Sequence, residues 1–356
     1  MTESHDRIRR SILTAGGSVA VGALIGMPRA ASAQPSVERV QLTIAVGPEW
    51  GTGGHAVVAL NKGFFREEGL TQITLKSFPA GLMQVEALAA GGVDLANPAQ
   101  GPVISLRSNG VPVVVLSSLA AYQDSLAIAI RRTANMKDAL QLEGLKIGVL
   151  KGTSAEQMLQ TFAARYKVDL SKVQLVNLAP PEQLASLATG AIDGVCVWQP
   201  WVHQAGQKLA VDVVHTGARS GLESNRGERV RIDNTRSVLT ATERFVRSNP
   251  RTTDAVLRAY AKAQAWATDA RNYDELVELF SKHHNQDAAL NRVLLKEYGS
   301  SLALDQAYDA DMTAVQEFLT ASGRLKNKVQ VSSYTYGAPL RKVSESLVSV
   351  EAAWKP

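Results

Sequence analysis

Cysteine is almost missing from this sequence: Cys196 is the only one in 356 residues. A lone thiol closes no internal disulfide, and there is no Cys-x-x-Cys pair for redox or metal work. Cys196 stands in an apolar run at 195–197, where a small buried thiol is the ordinary occupant. Aromatic residues are also sparse, at 6%, which makes each of the five tryptophans worth placing. No dense Lys/Arg run occurs. Residues 1–33 hold four of the basic residues and two of the acidic ones, which leaves net +3 downstream. Basic residues scattered among acids give no nucleic-acid footprint, because that needs cations clustered on one face. No stretch reaches the ~20 strongly apolar residues of a spanning helix. The six histidines form no metal-ligand spacing, and the adjacent His283 and His284 face different directions on a helix, as at a solvated helix end. A G-x-S-x-G elbow is lacking too.

What is present is an ordinary globular composition, 45% hydrophobic and 20% charged, long enough for two domains. Residues 7–33 run from Arg7, Arg9 and Arg10 through a weakly apolar stretch with four glycines to Ala31-Ser32-Ala33. That is an export signal cleaved before Gln34. Arg9-Arg10-Ser11-Ile12-Leu13 and Arg29 suit a twin-arginine signal, and an ordinary secretory signal is the alternative. The mature protein is therefore expected outside the cytoplasm, in the periplasm.

From residue 40 short apolar runs alternate with helical patterns. Strands are predicted at 40–46, 72–78, 93–96 and 113–117, with helices at 55–68, 82–90 and 103–108 between them. The series then restarts, with strands at 146–150, 173–176, 194–198 and 211–214 and helices at 154–166 and 182–189. Leu88-Ala89-Ala90-Gly91-Gly92-Val93-Asp94 matches Leu187-Ala188-Thr189-Gly190-Ala191-Ile192-Asp193, 99 residues later. A repeat that long suits two similar α/β lobes with mainly parallel sheets, not a solenoid. A strand at 125–131 would pass into the second lobe, and one at 237–240 back to the first. Helices near 252–270, 274–284, 287–298 and 309–322 would pack on the first lobe. The expected division is 34–124 plus 236–356 for the first lobe and 125–235 for the second.

In such folds ligands gather beyond the carboxyl ends of strands, where helix N-termini offer free amides. The segments in that position are Gly47-Pro48-Glu49-Trp50-Gly51-Thr52-Gly53, Asn97-Pro98-Ala99-Gln100, Ser117-Ser118 with Tyr122 and Gln123, Lys151-Gly152-Thr153-Ser154, Ala179-Pro180-Pro181 and Trp198-Gln199-Pro200-Trp201. The candidate ligand residues drawn from them are Glu49, Trp50, Gly51, Asn97, Ala99, Tyr122, Thr153, Ser154 and Trp198. Trp198, at a strand tip, and Trp50, on a glycine-rich loop, are expected to line the cleft, while Trp201 suits the core. Gly51-Thr52-Gly53-Gly54-His55-Ala56 fits the dinucleotide pattern, but the next strand ends at Ser77-Phe78-Pro79 without the acid a ribose needs. Lys151-Gly152-Thr153-Ser154 is only the tail of a phosphate loop. It could bind an anion, or Thr153 or Ser154 could simply cap the helix. No cofactor or metal is expected, nor any catalytic residue.

Gly47-Pro48-Glu49-Trp50, Ala90-Gly91-Gly92-Val93-Asp94, Leu145-Lys146-Ile147-Gly148-Val149 with Gly152-Thr153, and Gly190-Ala191-Ile192-Asp193 with Trp198-Gln199-Pro200 carry a resemblance. Over about residues 40–325 the chain resembles the periplasmic substrate-binding proteins of ABC importers for nitrate, sulfonates and taurine, and the related pyrimidine-precursor binders. The resemblance implies a periplasmic-binding-protein-like α/β fold of type II, whose two lobes close on a small solute. It also implies a monomer that delivers to an ABC permease and, through it, a cytoplasmic ATPase. Sulfonate-binding members resemble this chain with an uncharged amide at the Glu49 position. The acid here therefore favours a solute that also carries a cation or hydrogen-bond donor, or a heteroaromatic one. Two other readings remain open: a pyrimidine-making enzyme on the same scaffold, against which a single cysteine and an export signal argue, and a partner that presents ligand to a membrane sensor.

Overall fold

A computed structural model describes residues 36–122 and 124–356. Residues 1–35, which include the expected export signal, and Gln123 lie outside the described residues. The chain forms two mixed sheets flanked by helices, as the sequence pattern predicts for an α/β fold.

The six-stranded sheet contains β1 (Gln41–Val46), β2 (Gln72–Ser77), β3 (Leu95–Ala96), β4 (Val113–Tyr122), β10 (Arg236–Thr242) and β11 (Tyr298–Ser300), in the order β11-β4-β10-β3-β1-β2. The five-stranded sheet contains β5 (Leu126–Arg131), β6 (Lys146–Val149), β7 (Gln174–Asn177), β8 (Gly194–Trp198) and β9 (Val211–Thr216), in the order β7-β6-β8-β5-β9. β1 lies parallel to β2 and β3, and β6 lies parallel to β7 and β8. Each trio is a pair of βαβ units, which explains the near-continuous apolar character of its central strand.

The strands that arrive from the other sheet run the opposite way. β10 is antiparallel to β3 and β4, and β5 is antiparallel to β8 and β9. A chain that leaves one sheet at the carboxyl edge must enter the next at its own carboxyl edge. It therefore runs against the resident strands, and this is why the sheets are mixed and not mainly parallel. Tyr122 meets Thr235 and Leu126 meets Gly217 through backbone hydrogen bonds, both 2.9 Å, so the two crossings lie side by side.

The helices after β10 pack against the first sheet's layer, as the sequence suggests. Pro250–Thr268 lies on Trp50–Asn61, and Gln306–Ala321 on Gln100–Ser108. The predicted helix at 287–298 ends early, at Leu294, and Tyr298–Ser300 instead adds β11 to the edge of β4. Cys196 is fully buried in β8, where its thiol donates to the Ala155 carbonyl at 3.1 Å and burial pushes its pKa far up.

Candidate functional site

Four strand ends and four helix starts meet at one cleft. β1 leads into the helix Trp50–Asn61, β2 into Gly81–Ala89, β3 into Gln100–Ser108 and, in the second sheet, β6 into Ser154–Tyr166. The cleft is lined by Gly47–Glu49, Thr52, residues 78–82, Gln84, Ala99, Pro102, Tyr122, Thr153, Ser154 and Trp198, and encloses about 420 Å³ including its open mouth. Both sheets contribute walls. Among the described residues the lining contains no Lys, Arg or His, and Glu49 is its only carboxyl.

At none of these four helix starts does the residue preceding the helix (Glu49, Ala80, Ala99 or Thr153) cap it with its side chain. Some helices elsewhere are capped, although Trp201–Lys208, Pro250–Thr268 and Tyr273–His284 also start without a side-chain cap. Thr242, Asp287 and Asp305 each accept from first-turn amides of the helices they precede, and Glu182 reaches back to the Ala179 amide at 3.0 Å. A helix start left open carries unpaired N–H groups and a partial positive charge. Thr153 does not cap its helix as the sequence allows: its hydroxyl donates backward to the Leu150 carbonyl at 2.7 Å.

Glu49 is the most constrained group in the cleft. Its Oε1 accepts from Thr52 at 2.9 Å and from the Tyr122 hydroxyl, and its Oε2 accepts from the Tyr298 hydroxyl at 2.5 Å. The two tyrosine rings meet edge to face, with centroids 5.0 Å apart. Burial raises the Glu49 pKa to about 7 against the opposing pull of the three hydroxyls. The same burial, with the negative field of Glu49, drives Tyr122 and Tyr298 well above the usual phenol range.

Of the nine candidates, Glu49, Ala99, Tyr122, Thr153, Ser154 and Trp198 line the cleft, and three stand behind it. Trp50 is on a helix, not a loop, and its ring folds over Gly54 into the first core, 5.9 Å from Phe280. A Cβ on Gly54 would fall 2.2 Å from that ring, so the glycines read as a loop are instead where side chains press on a helix. Gly51 serves the Tyr122 ring in the same way. Asn97 is fully buried, its amide donating to the Tyr260 hydroxyl at 3.0 Å and its backbone N–H to Gln84 Oε1 at 3.2 Å. His284 also departs from expectation: it tucks against Phe280, ring centroids 4.6 Å apart, and burial lowers its pKa to about 4.

Sequence reasoning collected Thr52 in a strand-end segment without choosing it as a ligand residue, and missed Gln84, Tyr298 and the segment 78–82. Residues 78–80 form the turn from β2 to the helix Gly81–Ala89 and could have been collected by the strand-end rule. Tyr298 gave no signal, because its strand is three residues long and follows a helical pattern. Arg324 was also missed. It follows Gln306–Ala321 and forms a two-nitrogen ion pair with the buried carboxylate of Glu156, on the second-sheet helix Ser154–Tyr166. Glu156 also accepts the Gly152 N–H at 2.7 Å. This pair ties the two walls together beside the cleft.

The sequence model of the NMT1-like family matches residues 36–281. A protein of Bacillus subtilis (strain 168), named as a candidate aliphatic sulfonates-binding protein, is 22% identical over 300 residues, covering 81% of this chain and 84% of its own. The alkanesulfonate-binding protein SsuA from Xanthomonas axonopodis pv. citri, solved bound to MOPS, superposes with a TM-score of 0.71 at 18% identity, covering 85% of this chain and 100% of its own. The desulfurization enzyme DSZB superposes with a TM-score of 0.63 at 18% identity, covering 86% of this chain and 99% of its own. At such identities the two structures establish the shared fold.

Proposed function

Because the chain belongs to the NMT1-like family, we propose that it is the solute-capturing component of an ABC importer, taking a small organic anion such as a sulfonate. The observation that carries this reading is the convergence of four open helix N-termini on a cleft without Lys or Arg. Backbone amides and helix fields suit an oxyanion that must be released again, since they supply many moderate donors and no full countercharge. The names of the B. subtilis relative and of SsuA support a sulfonate.

Residues 34–124 with 236–356 form one lobe in this reading and residues 125–235 the other. Closure bends the paired crossings near Ser125 and Asp233, so amides from both walls replace the solute's water. Residues 1–33 direct export and are removed. The mature protein works in the periplasm as a monomer, and a permease coupled to an ATPase receives the solute. Binding without turnover is supported by a lining that holds no thiol, imidazole or amine, and by a single cysteine turned into the second core. An aromatic acid or pyrimidine precursor is the second reading, favoured by Phe78, Tyr122 and Trp198 around the cleft.

Mass spectrometry of the solute that co-purifies with the protein tests both readings. Calorimetric titration should then show tight binding of one class among sulfonates, taurine, nitrate, pyrimidines and aromatic acids. Failure across that set overturns the importer reading, and turnover of any of these compounds replaces it with an enzyme.

A further inference from the structure

The hydroxyls around Glu49 have a limited supply of hydrogens. While Glu49 is ionised it is an acceptor only, so Thr52, Tyr122 and Tyr298 must each spend their O–H on it. Thr52 and Tyr122 also line the cleft, and toward the cleft they can then present only lone pairs. An oxyanion placed there would face oxygen against oxygen. Once Glu49 is protonated the polarity reverses. Its acid O–H donates to one hydroxyl, and that hydroxyl's own hydrogen is released toward the cleft.

We propose that capture of a plain oxyanion is coupled to uptake of one proton from solvent at Glu49, with the hydrogen bond relayed to the solute through Tyr122 or Thr52. The inference rests on the reading of this cleft as an anion site and names Glu49 as its specificity-determining residue. A solute that carries an ammonium or similar strong donor beside its anion would instead be taken with Glu49 ionised, and without a proton.

The surroundings favour such a switch. The void on the other side of Glu49, between Pro48, Pro200, Phe280 and Tyr298, is also free of Lys, Arg and His. The titratable neighbours of the cluster are acids, Asp233 beside Tyr122 and Glu297 beside Tyr298, and burial raises their pKa values to about 6 and about 8. The nearby helix Tyr273–His284 brings His284 close to Gly53, but burial keeps that imidazole neutral. From the second sheet come Thr153, Ser154 and Trp198, all uncharged. With its pKa near 7, Glu49 changes state at modest cost, and a bound anion pushes it further toward the acid.

The test is calorimetry of the full mature protein with ethanesulfonate and 2-aminoethanesulfonate, in two buffers of different ionisation enthalpy at about pH 8. The buffer dependence of the heat counts protons. Ethanesulfonate should take up close to one, with affinity falling toward tenfold per pH unit above about pH 7. The aminosulfonate should take up none, and Glu49→Gln should bind ethanesulfonate with neither proton uptake nor pH dependence. Wild-type binding of ethanesulfonate without proton uptake overturns the inference and leaves the anion reading standing. So does uptake that persists in Glu49→Gln. Failure of both sulfonates to bind at any pH overturns the anion reading and the inference with it. The wild-type proton count needs no variant, so poor folding of Glu49→Gln would not spare the proposal.

Discussion

β1–β3 and β6–β8 are built on one plan, down to a shared side-chain tie. Asp94 accepts the Thr43 amide of β1 at 2.8 Å, and Asp193 accepts the Lys146 amide of β6 at 2.8 Å. In each case the same residue's N–H is bonded back to that strand, to the Thr43 and the Lys146 carbonyl, both 2.8 Å. What differs is where the acid of the next helix start is placed. After β1 it is Glu49, immediately before the helix and among hydroxyls in the cleft. After β6 it is Glu156, in the first turn and paired with Arg324 beyond the helix Gln306–Ala321. The two helix starts thus carry an acid among hydroxyls on one wall and an acid paired with a guanidinium on the other. Burial alone does not decide the outcome, since both carboxyls are buried. Glu156 faces a guanidinium, whereas Glu49 has only hydroxyl partners, and burial raises its pKa to about 7.

The contrast can be broken at several points. The largest effect is expected from Arg324→Ala, which leaves the Glu156 carboxylate buried with the Gly152 amide. About 3 kcal/mol of unfolding free energy in urea should be lost, whereas Lys172→Ala, in an exposed pair with Glu143, should leave stability nearly unchanged. Equal costs would mean that the cross-wall pair is no more than a surface contact.

Glu49 should leave a mark on stability of the opposite sign from a salt-bridged acid. Its folded pKa lies above the unfolded value, so its contribution is complete below about pH 4.5 and disappears as pH rises through about 7. Over that window wild type should lose up to about 3 kcal/mol relative to Glu49→Gln, read from paired urea melts at each pH. Parallel profiles for the two proteins would remove the contrast.

Asp94→Ala and Asp193→Ala test the shared half of the plan. Each removes a charge-assisted bond to a strand amide, and each should cost about 2 kcal/mol. A loss at only one of the two would show that the repeat is one of sequence and not of energetics. The smallest effect belongs to Trp198→Ala, which should weaken solute binding by about 1 kcal/mol if the ring stacks on the solute. Unchanged affinity in titration would assign Trp198 to the second core.

The repeated lobes were readable because glycine and aspartate recur at matching helix ends, and because apolar runs mark buried strands. The regular helices were readable as well, with Ser154–Tyr166 and β8 at their predicted bounds. Trp50 was misplaced because glycines usually signal a loop, and only the packed structure shows Gly54 yielding to a ring. Tyr298 and Arg324 were not visible, since each acts on a residue more than 150 positions away, and a single sequence carries no trace of such pairing. The Glu49 carboxyl drew attention as an acid where an anion was expected. Its three hydroxyl partners, which decide what that acid does, come from three separate elements.

Cys196 gives the molecule a native clock. Its thiol is sealed in β8 beneath the start of the helix Ser154–Tyr166, the same helix whose start brings Thr153 and Ser154 to the cleft. A thiol reagent should reach it when the packing of that helix on β8 opens. Its labelling rate therefore counts the openings of one wall, with no introduced probe and no second cysteine to confuse the record.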